Sequence, residues 1–306
     1  MSDLILHHYW PSPFAHKIRM TLGMIGASWT SVEIPRVPPK PLLMPLTAEY
    51  RRTPVLQIGA DVYCDTANIA RALGESGYAD KLFPNAQRGR VMALASWIDQ
   101  SVVELAIRIV ITSAIGTAPP EFIQDRGDLY FGPGWTPEGM KAGLPGARLQ
   151  LEAQMSHLDD ALAETGHMVG DTTSYADAGV GFLAWFLRGR WDGGPALLAR
   201  YANIERLEDQ LATDSEGAYT DMTPEAALEL AKGSTSSAPS GISNAACDFE
   251  VGQRIRIRQR TQSSDPDIFG TLRYLDAWRV SIDHHSAETG DVVVHLPVAG
   301  YQIDAA

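Results

Sequence analysis

The sequence predicts an α+β protein, and three observations predict it. Short apolar strand candidates alternate with amphipathic helices through the first eighty residues. A helical pattern then runs from about residue 84 to 232. After residue 247 the apolar spacing changes from the helical period to two, which marks a β-rich end.

Each element has a local cause. Leu4–His8 is an apolar strand, and Pro13–Met24 follows as a helix with Phe14, Ile18, Leu22 and Ile25 on one face. Trp29–Ile34 reads as a second strand, and the proline-rich run 35–45 reads as a loop. Thr53–Ile58 and Asp61–Cys64 form a hairpin around Gly59-Ala60, and Asp65 or Thr66 caps a helix ending at Leu73. Arg88–Ala114 is expected as one long helix. Residues 116–146 contain twelve Gly or Pro and are expected to form an irregular, functional loop. Helices resume at 147–164, 175–188, 195–211 and 223–232. GSTSSAPSGISN (233–244) has the composition of a flexible linker. Alternation in RIRIR (254–258), within 271–283 and in 291–295 predicts a small antiparallel β-module, barrel-like and five-stranded. The expected domains are therefore 1–80, 84–232 and 247–306, with a linker at 233–246.

Composition narrows the function classes. The net charge of −12 argues against a sequence-independent grip on nucleic-acid phosphates or an anionic membrane. No apolar run approaches spanning length, because Glu104 and Arg108 break the longest. Met1–Leu6 lacks the basic start of a signal peptide. Cys64 and Cys247 form neither a disulfide framework nor a metal-ligand spacing, so a reducing cytoplasm is expected and no metal.

The chemistry concentrates in HYWPSPFAHKIRM (8–20), where a hydroxyl stands between a strand and a helix. Ser12 followed by Pro13 is a favourable helix start, since serine caps and proline lacks an N–H that would be unpaired there. The same place favours an anion, because helix N-termini carry free N–H groups and partial positive charge. A thiol titrates near ~8.5, so only about 3% is ionised at pH 7, and a fall of ~2 in its pKa is worth roughly 2.7 kcal/mol. Ser12 could supply that to a ligand's sulfur.

SPFAHKIRMTL, VEIP and RRTPVLQIGADVYCDTANIARAL, in that order, resemble the N-terminal thioredoxin-like domain of the glutathione transferases, especially the serine-type tau and bacterial members. TTSYADAGVGF (172–182) resembles the capped central helix of that family's all-α second domain. The resemblance covers about residues 1–215, and the 247–306 module lies outside it. It implies glutathione as co-substrate, a small apolar electrophile as second substrate, and a homodimer.

Site roles follow from the resemblance alone. Ser12 matches the hydroxyl that stabilises the thiolate, with Tyr9 as competitor. Pro54 matches a cis-proline that exposes the backbone of Thr53 to the cysteinyl part of glutathione, as an added strand would pair. Asp65 and Thr66 match the acidic-hydroxyl pair at the γ-glutamyl end, and Lys40 is placed to meet the glycyl carboxylate. Asp99 is expected to reach the ligand's ammonium from the second domain. Trp10, Phe131 and Trp135 are candidates for the electrophile site.

Other clusters carry less. His7-His8 and His284-His285 sit on strands, so the members of each pair face opposite sides and cannot chelate together. The arginines of 254–258 lie amid nine acids against six arginines in 247–306, which fits a solvated sheet face. Cys64 reads as a buried structural thiol. A second reading, from a different class, is a non-catalytic glutathione-binding or regulatory protein whose β-module recruits a partner.

Overall fold

A computed structural model of the chain describes residues 3–213, 216–243, 248–261 and 263–306. Cys247 and positions 244–246 of the expected linker lie outside these. The chain divides into two compact units. The first comprises Met1–Ala15, Ser28–Ala72 and Ala218–Ala306, and the second His16–Ala27 and Leu73–Gly217.

The first unit is built on one sheet. Strand β1 (Ile5–His8) leads into helix α1 (Pro13–Ile25), which returns to β2 (Ser28–Glu33), parallel to β1. A short helix α2 (Met44–Thr47) interrupts the proline-rich crossover. The hairpin β3 (Val55–Ile58) and β4 (Asp61–Cys64) pairs antiparallel to β1, and α3 (Thr66–Leu73) follows. Gly59 makes the hairpin turn at φ +62°, a left-handed conformation that glycine adopts without strain.

The C-terminal part of the chain covers both edges of these four strands. Strand β5 (Ala218–Asp221), absent from the sequence expectation, pairs parallel with β2. Helix α12 (Pro224–Lys232), β6 (Gly241–Ile242), β7 (Arg254–Gln259), β8 (Ile268–Leu275), β9 (Arg279–Ser286), β10 (Gly290–Pro297) and β11 (Tyr301–Ala305) follow. Strand β10 pairs parallel with β4, placing Val293, Val294 and His295 opposite Asp61, Val62 and Tyr63. The strand order is thus β11-β7-β8-β9-β10-β4-β3-β1-β2-β5, with β6 beside β8. The five strands of the expected module exist, but they form an open extension of the first sheet instead of a separate barrel. One hydrophobic core runs through both parts, from Ile5, Val32, Val55 and Val62 to Ile255, Ile282 and Val294.

The expected linker is also anchored. The buried Asp61 carboxylate accepts hydrogen bonds from the Ser236 hydroxyl, the Ser237 N–H (3.0 Å) and His295 Nε2 (3.2 Å). Arg273 donates to the Ala238 carbonyl at 3.0 Å. Small polar residues look flexible in a sequence window, yet their short side chains suit a strap across a sheet end. Burial alone would raise the Asp61 carboxyl; the hydrogen bonds from His295, Ser236 and Ser237 reverse this and hold it below the ordinary carboxylate range.

The second unit is helical. It holds the part of α1 from His16 onward, α4 (Ala79–Leu82), α5 (Arg88–Trp97), α6 (Val103–Ser113), α7 (Pro120–Tyr130), α8 (Pro137–Ala163), α9 (Tyr175–Arg190), α10 (Gly194–Leu198) and α11 (Ala202–Thr213). The expected helix 88–114 runs on from Arg88 to Ser113, with a π turn at Ile98–Val102 inside it. Central α9 is buried over most of its length and starts at a capping box, in which Ser174 N–H donates to Asp177 Oδ2 at 2.8 Å.

The Gly/Pro-rich run 116–146 is more regular than its composition suggests. It holds α7 and the first turns of α8, with irregular backbone only around 114–119 and 131–136. Pro120 and Pro137 stand at first-turn positions, where a missing N–H costs nothing, and Thr136 caps α8 through Gly139 N–H at 3.1 Å. Gly127 is required by contact: a Cβ there would lie 2.0 Å from the Trp135 ring.

Both paired histidines split as strand geometry demands. His7 Nε2 bonds Gln57 Oε1 at 2.8 Å, and His8 Nε2 meets the Ser31 hydroxyl at 3.1 Å. His284 turns to the Pro45 carbonyl and His285 to Asp291. Burial pushes the His7 imidazole from its ordinary 6.5 down to about 4, against a smaller opposing effect of Gln57.

Two outcomes are expected. The stability due to neutral His7 is fully present above pH 6.5 and is lost as the pH falls from 6.5 towards 4, amounting to about 3 kcal/mol. Denaturant titrations of His7→Gln should show a flatter decline over that window than the wild type. Asp61→Ala should cost about 2–4 kcal/mol by leaving its donors unpaired, and should open 236–240 to limited proteolysis before the helical unit is cut.

Candidate active site

The first unit gathers most of the expected site residues. Strand β1 delivers the chain to a turn in which Ser12 N–H donates to the Tyr9 carbonyl at 3.0 Å. The Ser12 hydroxyl then accepts from Ala15 N–H at 3.2 Å, so it caps α1, with Pro13 as the first helical residue. Ser12 is only 2% exposed, and among the described residues its hydroxyl proton has no acceptor. The same oxygen can therefore cap the helix and donate to an anion at its N-terminal end.

A strap of three residues lies beside this turn. The Thr53–Pro54 peptide is cis, as the sequence resemblance implies. Lys40 is buried and not a solvated side chain of the crossover. Its ammonium donates to the Arg51 carbonyl (2.9 Å) and the Thr53 hydroxyl (3.0 Å), and lies 5.9 Å from the centre of the Tyr9 ring. Lys40 thus holds residues 51–53 in place. Arg51 and Arg52 both meet Asp265, at 3.2 and 2.6 Å, and Asp265 accepts from the Ser263 hydroxyl at 2.7 Å.

Asp65 and Thr66 open α3. Asp65 sits at φ +76°, and its Oδ1 accepts from Ala67 N–H at 3.0 Å in an Asx turn. The Tyr301 hydroxyl, from the last strand of the chain, donates to Asp65 Oδ2 at 3.2 Å. Thr66 is buried at the first helical position. Burial, with the Asp65 charge beside it, pushes the Cys64 thiol well above its ordinary range, so this cysteine is inert. Tyr301 and Asp265 are the residues that sequence reasoning missed. Alternation marks Tyr301 as inward-facing, but no pattern names its partner.

The four other expected site residues have protein partners of their own. Asp99, on the π turn of the second unit, was expected to answer a ligand's ammonium. It is paired with the Lys17 ammonium, at 2.8 and 2.9 Å. Lys17 is fully buried, 4.3 Å from the centre of the Tyr175 ring, and a buried ammonium requires such a counter-charge. Phe131 and Trp135 lie on the bend between α7 and α8, packed edge to face at 6.3 Å, with the Trp135 indole N–H donating to Asp128 at 2.8 Å. Trp10 belongs to a ring cluster with His8, Trp29 and Tyr219, where β5 joins β2. Among the described residues no group of His, Cys, Asp and Glu could hold a metal ion. No helix there is long and apolar enough to cross a membrane.

Comparisons with known proteins agree with this arrangement. Residues 11–76 match the family model for the glutathione S-transferase N-terminal domain. A GST-like protein from Pseudomonas syringae is 31% identical, with 100% of both chains covered and a TM-score of 0.75. A tau-class glutathione S-transferase from mango is 16% identical and shares the fold, covering 70% of this chain and 90% of its own, with a TM-score of 0.52. A β-etherase from Sphingobium sp. does likewise at 15% identity, covering 68% and 94%, with a TM-score of 0.53. Among curated proteins, a probable glutathione S-transferase from tobacco is 24% identical over 112 residues; the match spans 35% of this chain and half the length of that relative. With a relative matched along its whole length, and with the helix-capping serine and cis-proline in place, this chain belongs to the glutathione S-transferase family.

Proposed function

We propose that the protein is a glutathione transferase that binds glutathione on its first unit, stabilises the thiolate and adds it to a small apolar electrophile. The observation that carries this reading is the Ser12 hydroxyl, which caps α1 while its proton has no acceptor among the described residues. The tripeptide's cysteinyl backbone pairs with the Thr53 edge, held from behind by Lys40. Its γ-glutamyl ammonium meets Asp65, and its carboxylate meets the Thr66 hydroxyl and the free N–H groups of α3. The sulfur then rests at the N-terminal end of α1, where Ser12 donates to it. The thiol proton passes to solvent. The thiolate lone pair then forms the new carbon–sulfur bond, while the bond to the electrophile's leaving group, halide in an aromatic halide, breaks and that group departs with its electron pair. In this reading the enzyme is a cytoplasmic homodimer, and aromatic residues such as Phe131, Trp135 and Trp10 serve the electrophile.

The electrophile's chemistry does not enter the first test. Titrating bound glutathione by thiolate absorbance should show the sulfur ionising about 2 pH units below its free value of ~8.5 in the wild type. In Ser12→Ala it should return towards the free value, with a loss in kcat/KM for a reactive aromatic halide of up to about 25-fold at pH 7 and saturating glutathione. Tyr9→Phe should stay within threefold of wild type. A bound sulfur that is still protonated in the wild type, or activity lost in Tyr9→Phe and kept in Ser12→Ala, refutes the assignment.

A further inference from the structure

We propose that the C-terminal strands complete the glutathione site, and that Tyr301 is the positioning residue that aims the Asp65 carboxylate at the γ-glutamyl ammonium. The proposal rests on the role given to Asp65 above. It assigns to residues 248–306 a task within the site, where the sequence left a module of unknown purpose.

Asp65 needs such help. It occupies a left-handed backbone position, and its Oδ1 is turned inward onto Ala67 N–H. The Tyr301 hydroxyl, 3.2 Å from Oδ2, is one of the groups that set the orientation of the carboxylate. Tyr301 is 6% exposed and lies in the shared core, so its ring cannot swing away. Burial, and next the charge of Asp65, push its phenol well above the ordinary range, which keeps the proton on Tyr301 and makes it a donor. Its neighbour Tyr50 is likewise buried and pushed up by burial first and then by Tyr301 and Asp65.

A second contact acts on the other end of the same site. Asp265 binds Arg51 and Arg52 together, and these two residues lead directly into the cis Thr53–Pro54 peptide. Lys40 holds the strap from the N-terminal segment, and Asp265 holds it from the C-terminal one. Two of the three places where the tripeptide would touch the first unit, the Thr53 edge and Asp65, are therefore braced by residues beyond position 248. The Pseudomonas syringae relative is matched over the whole of this chain, whereas the mango and Sphingobium structures cover 70% and 68% of it.

The test uses the full-length chain and two probes: glutathione, and its glutaryl analogue, which lacks the α-amino group of the γ-glutamyl residue. Tyr301→Phe keeps the ring and removes one hydroxyl. It should weaken glutathione binding about five- to tenfold, leave kcat within twofold, and leave binding of the analogue unchanged. Asp265→Asn should weaken both probes alike, since the cysteinyl backbone is common to them. Tyr301→Phe added to Asp65→Asn should weaken binding no further than Asp65→Asn alone. A purely architectural tyrosine would lower the melting temperature of Tyr301→Phe and leave the affinity for glutathione at the wild-type value; that result overturns the proposal, as does equal weakening of both probes. A wild type that binds glutathione and the analogue equally removes the role of Asp65 itself, and Tyr301 loses its task with it.

Discussion

The structure depends on the parallel pairing of β10 with β4. A four-stranded sheet ending at β4 would present an open row of backbone groups, and such an edge invites pairing with other chains. Here the chain covers it with its own later residues, in a register that sets Val294 opposite Val62 and His295 opposite Tyr63. Once β10 is there, β9, β8, β7 and β11 follow by antiparallel pairing, and their inward side chains join the core begun by Ile5 and Val55. The Asp61–His295 contact and the strap 236–238 seal the same join with hydrogen bonds.

That join has a chemical consequence. Folding the last strands back onto the first sheet brings Tyr301 to Asp65 and Asp265 to Arg51 and Arg52. The N-terminal residues supply the groups that meet the tripeptide in the proposed site, and the C-terminal residues restrict how those groups can move. Orientation of this kind is worth as much as the presence of a charge, because a carboxylate that points elsewhere contributes little to binding. The buried Cys64 fits the proposed reading, in which the reacting thiol is the ligand's: the protein's own sulfur is buried beside Asp65.

Two unusual pieces of backbone in the helical unit have ordinary explanations. Proline and glycine in 116–146 look like helix breakers when counted, but their positions matter more than their number. Pro120 and Pro137 start helices, and Gly127 makes room for an indole ring. The π turn at 98–102 carries Asp99, which serves as counter-charge to the buried Lys17. A count of residue types in a window cannot separate a first-turn proline from an interior one.

Local properties were legible in the sequence because they are set by neighbours along the chain. The strand-helix-strand order of 1–73, the serine at the start of α1, the cap before α9 and the splitting of adjacent histidines all follow from spacings of two to four residues. The β-rich character of 254–305 followed from alternation in the same way. What the chain does at long range was decided by tertiary structure alone. Alternation says which face of a strand is buried, but not which edge it will join, so it could not tell a separate barrel from an extended sheet. Nor could it assign Lys40 to Thr53, Asp99 to Lys17 or Tyr301 to Asp65. Those pairings span 13 to 236 positions, and each depends on where a folded backbone happens to place two polar atoms.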